Sequence, residues 1–219
     1  MKKYTLTEET RTTTDGEVIY RIRATVDIPE QDVEIGDIGG FISSTATLTD
    51  NAWLFDDAQA VAFAHVSGHA QLRGNACAGG NSYITDSAQL SNNAQVYGAS
   101  RISDTACISG DASVSGGAHV SGAAQVSGNA EVTDQTHISD AAWIHGNARI
   151  SDNARVSGAA HVGDNAKISG AAHISGDAKV FDNAKVAGTA HITDNALVFG
   201  NTKIIGDALI TGNMSIAHP

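Results

Sequence analysis

Ile150-Ser151-Asp152-Asn153-Ala154-Arg155-Val156-Ser157-Gly158-Ala159-Ala160-His161 holds one six-residue unit written twice. The unit reads aliphatic, Ser, Asp or Gly, a small or amide residue, Ala, and a variable residue. Stepping outward by six from Ile150, the aliphatic position continues unbroken from Ile42 to Ile216. Of these 30 positions, 28 are Val, Ile or Leu, the exceptions being Ala60 and Ala78. Four residues after it, from Ala46 to Met214, alanine fills 24 of 29 positions. Two residues after it, from Ser44 to Gly212, Gly, Asp or Asn fills 27 of 29. A helix needs a period of 3.6, so these alanines would scatter around it.

The alternation around each aliphatic residue is that of a short strand, one side chain in and the next out. The Gly/Asp and Asn pair then turns the chain, because Gly and Asn tolerate positive φ and Asp can bond its own backbone. A strand of about four residues and a turn of two make one side; three sides close a triangular coil of about 18 residues. The expected fold is all-β, a single-stranded left-handed parallel β-helix of about 9–10 coils. The regular period overrides the usual right-handed crossover preference. Each buried aliphatic residue contributes roughly 1.5–3 kcal/mol. No coil stands alone, and stability comes from stacking.

Residues 42–219 form the solenoid in this reading, and residues 1–41, which lack the repeat, form an N-terminal β cap. Val18, Tyr20 and Ile22 alternate with charged residues after the Asp15-Gly16 turn signal. A solenoid end exposes strand edges and core, and the cap covers them. The register runs to Ile216 with no matching cap after it.

The 24 acidic and 13 basic residues give a net charge of −11, which argues against a general nucleic-acid-binding surface. The start of the chain has no apolar h-region, and no apolar run reaches the length of a membrane span. Cys77 and Cys107 fall on different faces of the coil, so the expectation is free thiols in a cytoplasmic, reducing compartment. Two cysteines are too few for a structural zinc site.

Outward residues recur every 18. One face carries His65, Arg101, His119, His137, Arg155, His173 and His191 beside an unbroken Ser/Thr row, a candidate binding surface for an anion or polymer. A second carries Trp53 and Phe55, then Trp143 and His145, then Phe181, Leu197 and Phe199. With Ile205 and Leu209 from the other faces, Phe181, Leu197 and Phe199 form the candidate interface of a homo-oligomer, a trimer being favoured. The third carries Arg149, Lys167, Lys185 and Lys203, a row that could bind a polyanion or phosphate groups but is read as a solvated edge offset by turn aspartates such as Asp152, Asp164 and Asp182.

The motifs Lys3-Tyr4-x-Leu6, Asp15-Gly16, Gly36-Asp37-Ile38-Gly39-Gly40-Phe41 and Ala52-Trp53-Leu54-Phe55-Asp56 resemble the start of the YdcK family. That resemblance covers about residues 3–66 and implies a left-handed β-helix of the trimeric acyltransferase-like superfamily. Its members are labelled putative acetyltransferases on the strength of their fold, and no catalytic motif of theirs transfers to this chain. Three functions are therefore weighed. A non-catalytic binding or structural solenoid, with no cofactor or metal, is favoured by a register that no loop interrupts. A hexapeptide acyltransferase would use acetyl-CoA between subunits, with His119, His137, His145 or His161 as base. A carbonic-anhydrase-like metal enzyme needs three histidines converging across an interface and ranks last.

Overall fold

The computed structural model describes residues 2–218 and is a parallel β-solenoid built almost entirely of strands. Strands β1 (Tyr4–Thr12) and β2 (Val18–Ala24) form an antiparallel hairpin. Strand β3 (Ile38–Ser43) is antiparallel to β2 on one edge and parallel to Gln59–Ala60 on the other. β3 is thus both the last strand of the hairpin sheet and the first rung of the solenoid, and the 41/42 boundary falls inside it. From there the rungs stack into one twelve-stranded sheet, which includes β1 and β2, and two ten-stranded sheets.

Burial follows the six-residue period. Every aliphatic position from Ile42 to Ile210 is buried, as are the alanines four residues after it from Ala46 to Ala196. The ladder-paired rungs are two residues long, such as His65–Val66, rather than the expected four. Inter-coil bonding nevertheless continues into the corners: Thr49 N–H donates to Val66 O and Asn51 N–H to Gly68 O.

The corners correct one detail of the sequence reading. All residues at the second position after the aliphatic site, from Asp50 to Gly212, have positive φ, so the left-handed residue is this one and not the Asn that follows. The aspartates there do not bond their own backbone. Asp140 Oδ2 accepts the N–H of Gly158 at 2.9 Å, and Asp182 Oδ2 accepts that of Gly200 at 2.9 Å, each one coil away. Ten corner aspartates do this, closing a donor that the sheet ladder leaves open. The following asparagines form amide ladders, as from Asn129 through Asn147, Asn165 and Asn183 to Asn201.

The cap is fixed by charge and close packing. The guanidinium groups of Arg11 and Arg21 lie 4.1 and 4.2 Å from the ring centre of Phe41, and both arginines bond Asp57 Oδ1. Trp53 is buried in the core cluster with Tyr4, Ile22, Ile28 and Val33. Gly40 has no room for a side chain, since a Cβ there would stand 2.2 Å from Ala58 O. Lys3 Nζ bonds the carbonyls of Thr49, Asp50 and Ala52, and burial lowers its pKa to about 8 against the opposing pull of Asp50.

Candidate functional site: the outward columns

Three flat faces carry the candidate chemistry, and no loop rises from the solenoid between Asn51 and Leu197.

The first face aligns Thr47, His65, Tyr83, Arg101, His119, His137, Arg155, His173, His191 and Leu209 in one parallel column. The His119 and His137 rings stack at 5.0 Å and 21°, whereas those of His173 and His191 meet edge to face at 5.6 Å. Arg101 covers Tyr83 at 5.6 Å. Burial lowers the pKa of His119, helped by His137 and Arg101, and that of His173, helped by His191 and Arg155. Both shifts favour the neutral ring. A groove of about 530 Å³ lies among Tyr83, Thr85, Arg101, Ser103, His119 and Ser121, joining this column to its hydroxyl neighbours. All seven proposed binding residues lie in this one column.

The second face brings together two of the four histidines considered as a base. Trp143 lies 4.4 Å from the His145 ring and 5.3 Å from that of His161, and its Nε1–H donates to Ser127 Oγ. His145 in turn lies 6.1 Å from Phe181. Burial lowers the His145 pKa, and His161 adds to this while Asp164 opposes it. His119 and His137 lie on the first face, so the four do not converge. Lys179 pairs with Leu197, and Val180 with Val198, placing Phe181 beside Phe199 in one half-buried column. Ile205 and Leu209 are exposed on the other two faces. The five interface candidates therefore do not form a single patch.

The third face aligns Glu131, Arg149, Lys167, Lys185 and Lys203, with Arg149 Nη2 3.2 Å from Glu131 Oε1. The turn aspartates expected to offset the lysines form no ion pair with Lys167, Lys185 or Lys203. Asp152, Asp164 and Asp182 each accept a backbone N–H of the next coil. At the N-terminal end of this face the hairpin overhangs a cleft of about 710 Å³ lined in part by Arg11, Asp15, Gln59, Cys77 and Tyr97. The Tyr97 hydroxyl donates to Cys77 Sγ at 3.2 Å, and burial raises the pKa of both groups.

Sequence reasoning missed this cleft and the His145 notch. One signal existed for both, a glycine in an outward column 18 residues from a ring: Gly79 before Tyr97, and Gly163 after His145. In each case the ring lies over the glycine.

Both cysteines are free. Among the described residues, no group of three or more His, Cys, Asp or Glu is arranged to hold a metal ion. Among them, too, no helix is long and apolar enough to cross a membrane.

These features define a parallel β-solenoid with 18-residue coils and chemically distinct flat faces. The family model described as YdcK beta solenoid repeat matches residues 148–164, so the solenoid is similar there to that repeat. The match falls on the repeat, across the rungs that carry Arg149, Arg155 and His161, and not on the N-terminal motifs. No curated protein matches the chain at a significant level.

Proposed function

We propose that this protein is a non-catalytic binding solenoid that works through its flat first face. The carrying observation is the column from His65 to His191, held in register beside Ser/Thr hydroxyls with no loop to enclose a small substrate. Such a surface suits an extended polymer bearing hydroxyl and anionic groups, with Arg101 and Arg155 as fixed charges and the histidine rings as hydrogen-bonding partners. The free thiols fit a reducing cytoplasmic setting, and Phe181, Leu197 and Phe199 offer a self-association surface for a trimer of parallel prisms.

The test is a titration with neutral and acidic soluble polysaccharides, followed through the histidine ring resonances. Shifts at His119, His137, His173 and His191 that disappear in Arg101→Ala/Arg155→Ala support the reading. Unmoved rings across the panel refute it.

A second reading, an acetyl-CoA-dependent acyltransferase with its site between subunits, draws on the Trp143–His145–His161 cluster. Saturable acetyl-CoA binding by calorimetry, lost in His145→Ala or His161→Ala, would favour it over the first.

A further inference from the structure

The third face carries a strip that neither reading uses. Its central column is Arg149, Lys167, Lys185 and Lys203, all exposed and directly paired rung to rung. Like charges opposite one another in a sheet destabilise it. Only Arg149 has a carboxylate partner. Among the described residues no acid lies within ion-pairing distance of Lys167, Lys185 or Lys203. The three ammonium groups therefore face solvent in a line, one per coil, at the sheet spacing of about 4.8 Å.

The flanking columns narrow the ligand. On one side stand Asn147, Asn165, Asn183 and Asn201, each amide bonded to the next at 3.1–3.3 Å. A ladder amide uses one N–H and one carbonyl lone pair along the column, leaving a donor and an acceptor for an outside partner. On the other side stand Thr133, Ser151 and Ser169, which line a groove of about 400 Å³ with Glu131, Arg149 and Lys167, the column then turning apolar at Ala187 and Ile205. Hydroxyls likewise both donate and accept. A bare polyphosphate only accepts, and would leave the outward carbonyl lone pairs unused. A chain of sugars carrying carboxylates or sulfates matches the lysine and Asn columns along their length and the Ser hydroxyls beside Arg149 and Lys167.

We propose that this strip binds an acidic polysaccharide laid along the solenoid axis, its anionic groups on the lysine column and its hydroxyls on the Asn column and on Ser151 and Ser169. The site is independent of the first face and stands if that reading fails. Because the chain as a whole is at −11, attraction is local to the strip and is screened by salt.

Affinity electrophoresis of the full chain through gels containing alginate, a sulfated dextran, neutral dextran or polyphosphate tests it. Expected is retardation by alginate, sulfated dextran or both, which identifies the anionic group, with neutral dextran inert and polyphosphate clearly weaker. Lys167→Gln/Lys185→Gln, with an unchanged circular dichroism spectrum, should weaken binding at least tenfold. Asn165→Ser/Asn183→Ser should weaken polysaccharide binding several-fold and leave polyphosphate unaffected. Every form is run in an Arg101→Ala/Arg155→Ala background, which removes the first face's contribution, so that retardation reads the third face alone. The proposal is overturned by no retardation, by retardation equal to that in polyphosphate, or by binding that survives Lys167→Gln/Lys185→Gln. Should that variant misfold, Lys185→Gln alone, expected to lose several-fold, decides the matter.

Discussion

The imidazole of His145 occupies the space that a side chain at residue 163 would need. A Cβ on Gly163 would stand 2.2 Å from His145 Cε1 and 2.5 Å from Nε2. The two residues are one coil apart in the same outward column, and the missing side chain lets the ring lie flat between Trp143 and Phe181. Gly163→Ala should therefore expel the ring while leaving the coil intact, since the clashing atoms are the far end of a rotatable side chain. With its burial relieved, the His145 pKa should rise toward the ordinary 6.5. A histidine titration by NMR reads this, together with a change in Trp143 fluorescence. An unshifted His145 would show that Gly163 does not make the notch.

The corner ladder allows a ranked prediction. Asp182 holds positive φ, accepts the Gly200 N–H and donates its own N–H to Asp164. Asp182→Gly keeps the backbone conformation and loses the carboxylate acceptor, at about 0.5–1.5 kcal/mol. Asp182→Ala loses the same bond and, like the wild-type aspartate, keeps a Cβ in the left-handed region, but without the short polar side chain that eases it, and so stands about 1–2 kcal/mol below the glycine variant. Denaturant unfolding should rank wild type above Gly and Gly above Ala. Equal stability of the two variants would mean that left-handed strain plays no part at this corner.

What could be read from the sequence, and what could not, follows from these two cases. The inward columns and the membership of each outward column depend only on counting by six and eighteen, so Val120, His119 and Lys185 stand where the period puts them. The direction in which a side chain leans depends on its rotamer and on its neighbours. That is why the bond from Asp140 to the next coil, the Asn ladders and the seat of His145 over Gly163 emerged only from the coordinates. The cap has no period at all. The contact of Phe41 with Arg11 and Arg21 joins residues with no common spacing.

Acid should weaken the fold through its histidines. The pKa values of His119, His145 and His173 lie below the ordinary 6.5, with burial the largest cause in each. The unfolded chain then takes up protons more readily than the native state, so stability is retained above pH 7 and falls as pH drops through 6.5 and below the folded values. Neighbouring charge has the same sign for His119, facing His137 and Arg101, and for His173, facing His191 and Arg155. The thermal midpoint should drop between pH 7.5 and pH 5, and drop less in His119→Gln/His173→Gln. A pH slope identical to wild type in that variant would place the acid sensitivity elsewhere.

The joint between cap and solenoid turns on Ala62. Among the described residues it is the one at positive φ that is neither Gly, Asp nor Asn, with φ at 52°. In other coils the corner N–H often finds an aspartate from the preceding coil; here that place is held by Ser44, and the hairpin supplies the acceptor. Glu17 Oε2 takes the Ala62 N–H at 2.9 Å, while Thr45 Oγ1 donates to the Ala62 carbonyl at 2.6 Å. The corner is thus held in a conformation that costs an alanine about 1–2 kcal/mol. Ala62→Gly removes that strain but gives back roughly 0.5–1 kcal/mol through the freer unfolded chain. The net expectation is a stabilisation of at most about 1 kcal/mol. Glu17→Ala should act in the opposite direction, by about 1–3 kcal/mol, because it leaves the part-buried N–H without its acceptor. Its effect should appear first in the hairpin, as faster amide exchange of β1 and β2 while the central coils stay protected. Protection lost uniformly along the chain in Glu17→Ala would mean that the cap and the solenoid unfold as one unit, and that this corner is not the point at which they separate.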